Sequence, residues 1–130
     1  MIQRIQTVFL FLISITSVLG LFFFPPIDFP DLGFPIPIVL KSYLILTAAL
    51  AFLTLLLFKS RKTQLLMNRL HFFVQILAAA GLVYGTVNSD DLNVYLPWVV
   101  MPLLALILLI LSSRFIKKDE DLIRSIDRLR

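Results

Sequence analysis

The 130-residue chain has no cysteine, one histidine and little charge, and each shortage removes a class of function. Without cysteine there is no disulfide, no thiolate nucleophile and no thiolate-held metal. His71 stands alone, with no carboxylate in the apolar stretch around it, so a packing or interfacial role is expected rather than a metal site. Charged residues make up 15% of the chain, below the roughly 25% of an average soluble domain, while 59% is hydrophobic. A soluble fold of this length cannot hide that much apolar surface, so lipid is the expected solvent. The formal net charge of +4 is no nucleic-acid footprint, because the basic residues gather at the ends of apolar runs instead of along one folded face. No nucleic-acid partner is expected.

The chain also lacks a phosphate-cradling glycine loop, a Ser/His/Asp set and a zincin motif. No Asp, Glu, Lys or Arg falls within residues 5–27, 42–58, 70–89 or 92–113. Pumps, proton-coupled carriers and voltage sensors place ionisable groups inside the bilayer. An enzyme or ion-coupled transporter acting alone is therefore disfavoured, and no cofactor, metal ligand or catalytic residue is implied.

What is present are those four uncharged windows. Each is about as long as a helix crossing a hydrocarbon core of ~30 Å at 1.5 Å per residue. Membrane strands are excluded because runs such as Leu103 to Leu111 do not alternate. The expected fold is an all-α membrane protein with four transmembrane helices in two hairpins, spanning about residues 5–24, 38–58, 70–87 and 94–113. These form a bundle over residues 1–115, and residues 116–130 form a short cytoplasmic C-terminal amphipathic helix. The first run is read as an uncleaved span, since it exceeds a signal peptide's apolar region and ends Phe22-Phe23-Phe24-Pro25-Pro26.

Lys59 to Arg69, KSRKTQLLMNR, carries Lys59, Arg61, Lys62 and Arg69 with no acid and reads as a cytoplasmic loop. Lys and Arg number one before helix one, one in the first loop, four in this loop, none in the third and six in the tail. An arrangement with both termini cytoplasmic puts eleven of twelve inside. The proline-rich segment 25–41, with Asp28 and Asp31, and the short segment holding Asp90 and Asp91 would then lie outside. Those four aspartates read best as acidic loop caps; a cation site would need them to meet. Tyr95 and Trp98 suit the external aromatic belt, Pro97 the first turn of helix four, and Pro102 a bend further in.

Gly81 and Gly85 form a small-xxx-small pattern that Ala78 extends, a stripe suited to close helix packing. On that reading Gly81→Leu should disturb packing far more than Leu104→Ile. In the tail, Leu122, Ile126 and Leu129 share a helical face flanked by Arg124 and Arg128, and Glu120 can pair with Arg124. This face suits a protein partner or the headgroup plane; a solvated continuation of helix four is an equal reading. Asp31-Leu32 with Ile36-Pro37 is echoed by Asp91-Leu92 with Leu96-Pro97, as in a tandem hairpin repeat, although interface chemistry alone also favours such matches.

The opening MIQRIQ, Asn68-Arg69-Leu70, and the closing Lys118-Asp119-Glu120, Leu122-Ile123-Arg124-Ser125 and Asp127-Arg128-Leu129-Arg130 together resemble domain-of-unknown-function family 4293. This is a family of small four-helix inner-membrane proteins of Bacteroidota, and the resemblance covers the whole chain. It implies the four-helix topology and a bacterial inner (cytoplasmic) membrane, with no activity, cofactor or catalytic residue to carry over. The proline-rich first loop matches no family pattern. Three functions remain open. The first is a non-catalytic accessory or scaffold subunit associating with lipids, other inner-membrane subunits or a second copy of itself. The second is a carrier or binding protein for an apolar or lipid-like ligand. The third is an enzyme using the external aspartates.

Overall fold

The computed structural model describes residues 3–27, 35–88 and 92–128. They form four helices, α1 (Gln3–Phe23), α2 (Ile36–Leu56), α3 (Arg61–Val87) and α4 (Leu92–Arg128), with no strand among the described residues. All four are long and apolar enough to cross a membrane. α1 packs on α2 and α4, and α3 on α4 and α2, so the helices close a four-sided bundle.

Local chemistry sets the boundaries. α1 stops where Pro25 and Pro26 withdraw two backbone donors, and its last turn closes with Phe24 N donating to Gly20 O at 3.1 Å. α2 carries Pro37 in its first turn, where the missing N–H would lack an intrahelical partner anyway. The α2–α3 connection is only residues 57–60. Ser60, extended, precedes α3, and its hydroxyl meets that of Thr63 at 2.8 Å.

Two expectations are corrected. The basic stretch is mostly not loop, because α3 begins at Arg61 and runs through Lys62 and Arg69. Lys, Arg, Gln and Leu are good helix formers and no breaker lies among them. Nor is the tail a separate helix: α4 is continuous for 37 residues, about 55 Å at 1.5 Å per residue, through both Pro97 and Pro102. No glycine or proline follows Pro102 to stop it. Pro97 is thus one turn further inside the helix than expected.

The packing changes character along the bundle axis. At one end Ile27, Leu40, Leu44, Leu82, Tyr95, Trp98 and Met101 form an apolar core. Trp98 is buried there instead of facing a headgroup belt. Its Nε1–H donates to Pro25 O at 2.8 Å, and its ring meets Phe24 edge-on at 5.1 Å. Pro25 O lies beyond the end of α1 and has no helical donor, so the indole satisfies it. Mid-bundle, Leu10, Ile13, Ala51, Ala105 and Leu109 continue the core. Toward the opposite, basic end the interior becomes polar. Past Arg69 and Arg114, α3 and α4 are joined by the Arg61–Asp119 ion pair at 3.0 Å.

Outside, the shell is apolar: Phe22, Phe23, Leu77 and Val87 expose three-quarters or so of their surface. Large apolar side chains cover the outside as well as the core, and buried polar ones gather in one part of the interior, unlike a water-soluble domain. Such an exterior suits a hydrocarbon solvent.

Candidate functional site

One face of α3 supplies Gln64, Asn68, His71 and Gln75 at spacings of four, three and four residues, all fully buried. The same rhythm continues through Ala78, Leu82 and Gly85, so the inward face turns from polar to apolar between Gln75 and Ala78. This polar seam touches both neighbouring helices. The Tyr43 hydroxyl of α2 donates to Gln75 Oε1. That leaves Gln75 Nε2 as donor to Thr47 Oγ1 at 3.2 Å and to His71 Nε2 at 3.0 Å. His71 Nε2 is therefore the accepting nitrogen and Nδ1 carries the hydrogen. Gln64 Nε2 donates to Thr54 O at 3.3 Å, and Asn68 Nδ2 to Ser112 Oγ at 3.3 Å and Ser113 Oγ at 3.2 Å.

Apart from Asp119 Oδ2, which Arg61 engages in an ion pair, four buried side-chain atoms have no hydrogen-bonding partner among the described residues: Gln6 Oε1, Gln64 Oε1, Asn68 Oδ1 and His71 Nδ1. The seam is thus only partly satisfied by the chain itself. It holds donors and acceptors but neither a carboxylate nor an activated nucleophile. Among the described residues no three of His, Asp and Glu gather where a metal ion could sit.

Two grooves open on the bundle's flanks. One, of about 440 Å³, lies between α2 and α3 and is almost wholly apolar, with Val39, Leu77, Ala78, Gly81 and Tyr84 in its lining. Tyr43 forms part of its wall, so the groove backs onto the seam at the Tyr43–Gln75 bond. The other, of about 430 Å³, lies between α3 and α4 at the basic end.

The expected helix-packing residues fall in the first groove. Gly85 is buried and Ala78 half-buried, but Gly81 is exposed, and a Cβ built on it would meet nothing within 4 Å. Within the chain Gly81 makes no close helix approach, so the intrachain basis for a damaging Gly81→Leu is absent. The glycine that does sit at a crowded contact is Gly20. There a Cβ would lie 3.2 Å from both Leu44 Cδ1 and Phe24 Cε2. Its only sequence signal was a small residue at helical spacing from buried Ile13 and Ser17.

Of the basic residues, Lys59, Lys62 and Arg69 are exposed while Arg61 is engaged with Asp119. In the tail, Leu122, Arg124, Ile126 and Arg128 are exposed on the α4 extension, and Arg124 pairs with Glu120 at 3.2 Å. Leu129 and the four aspartates Asp28, Asp31, Asp90 and Asp91 lie outside the described residues.

The fold and the seam define the class: an all-helical protein with four candidate membrane spans and a polar seam beside its apolar core. A family model described as Domain of unknown function (DUF4293) matches residues 35–129. The chain belongs to that family. Neither the curated proteins nor the solved structures contain a match to it.

Proposed function

We propose that the protein is a non-catalytic accessory or scaffold subunit of a bacterial inner membrane, with both termini cytoplasmic, and that it acts by associating with another membrane helix. One observation carries this reading. Ala78, Gly81 and Gly85 border an open apolar groove, and at Gly81 a Cβ would meet nothing of the chain within 4 Å. Small residues let backbones approach where lipid offers no hydrophobic drive between helices, so a groove bordered by them suits an incoming helix. The charge count supports the orientation, because the sequence segments read as cytoplasmic hold eleven of the twelve Lys and Arg.

Purification in mild detergent tests the reading. The wild-type protein should retain a stoichiometric partner or a second copy. Gly81→Leu should release it and leave the thermal stability of the isolated chain unchanged within about 0.5 kcal/mol, as for an exposed site. A wild-type protein that migrates alone, or a variant that keeps its partner, contradicts the proposal.

A second reading, a carrier for an apolar or lipid-like ligand, draws on the same groove. Its volume is within the range of small-molecule sites, and its wall is uncharged and almost wholly apolar. Solvent extraction of the purified protein separates the two, since a carrier would yield one apolar molecule per chain.

A further inference from the structure

The α3–α4 groove at the basic end has a different character and does not depend on the preceding reading. Arg69, Arg114 and Lys117 lie at its aqueous end, and no acidic residue lines it. Arg114 and Lys117 are three residues apart and so share one face of α4. Neither described ion pair involves any of the three, because Asp119 is engaged by Arg61 and Glu120 by Arg124. Toward the middle of the bundle the lining turns apolar with Phe72, Leu109 and Ile110. Asn68 and Ser113, joined by a hydrogen bond of 3.2 Å, fix the two helices between these parts.

The level of this change matters as much as its sign. Arg69 directly precedes the uncharged stretch of α3, and Arg114 directly follows that of α4. Both therefore mark the plane where hydrocarbon gives way to headgroups. A groove that is cationic at phosphate depth and apolar below it has the polarity of a phospholipid, head to tail.

We propose that this groove binds one anionic glycerophospholipid, its phosphate held by Arg69, Arg114 and Lys117 and an acyl chain laid against Phe72, Leu109 and Ile110. Guanidinium groups suit the task because their donors are directed and remain charged at any relevant pH. Basic pockets between membrane helices recognise anionic headgroups on this principle. A zwitterionic lipid offers the same phosphate but brings an ammonium group toward three cations, so it should bind more weakly.

The test is retention of phosphatidylglycerol by the purified protein in neutral detergent, read by native mass spectrometry and by the thermal unfolding midpoint. One phosphatidylglycerol per chain should be retained and should raise the midpoint, with phosphatidylcholine of the same chains held at least tenfold more weakly. The variant Arg69→Gln/Arg114→Gln/Lys117→Gln should lose retention at least tenfold. The control Lys59→Gln/Lys62→Gln/Lys118→Gln, which removes equal charge from exposed positions at the same end, should keep it. Ile110→Trp, which fills the apolar part and spares the charges, should also lose retention. Equal loss in the control, equal binding of phosphatidylcholine, or the same stabilisation by inorganic phosphate alone would overturn the proposal. So would full retention by Ile110→Trp.

Discussion

Gln75 joins three side chains at once: it accepts from Tyr43 and donates to Thr47 and His71. In hydrocarbon each interhelical bond contributes about 0.6 kcal/mol on average and up to about 1.7, because the dissociated helices also find partners. Gln75→Leu removes two such bonds, to Tyr43 and Thr47, and the one to His71 within α3, so a loss of about 1–3 kcal/mol is expected. Leu77→Ala, two positions on and 74% exposed, should change stability by no more than about 0.5 kcal/mol. Thermal unfolding of the two variants in detergent checks the contrast, and equal losses would mean that the seam does not hold the bundle together. Reading His71 on its own missed the seam, whose signal in the sequence is a spacing. Gln64, Asn68, His71 and Gln75 recur every three or four residues. His71 taken singly looks interfacial; taken with the other three it belongs to a buried face.

Among the elements, α1 meets α2 at Gly20, where Leu44 and Phe24 leave no room for a larger side chain. Gly20→Leu should therefore destabilise the isolated protein by about 1–3 kcal/mol through overpacking. The same change at Gly81 should be nearly silent until a partner is present. Measuring both unfolding midpoints tests whether these glycines differ as described, and a larger effect at Gly81 would reverse the assignment. Sequence spacing alone could not separate the two, since a small residue marks a close contact only when another helix lies against it. The start of α3 was hidden for a related reason. Lys and Arg both hold a segment on the cytoplasmic side and form helix well, so charge counting marks the flank but not where the turn ends. Trp98 carried the opposite ambiguity, because an indole satisfies a belt or a stray carbonyl equally well, and here it takes Pro25 O.

For the whole molecule, the four uncharged windows were the most legible feature. A charged residue at mid-membrane costs at least about 2.5–3.5 kcal/mol on insertion scales, so its exclusion writes the spans directly into the sequence. Amides, hydroxyls and an imidazole cost less and can be buried in pairs, so the inward faces carry no comparably sharp mark. The resulting molecule has a polar seam within and an apolar shell around it, and its outward side chains should meet acyl chains instead of water. The absence of native cysteine allows one nitroxide to be placed without background. Ile107, on α4, is 57% exposed and lines neither flank groove. With the label on Ile107→Cys in reconstituted bilayers, collision with molecular oxygen should greatly exceed collision with a water-soluble nickel chelate. A label relaxed mainly by the chelate would place that face in water and contradict the account.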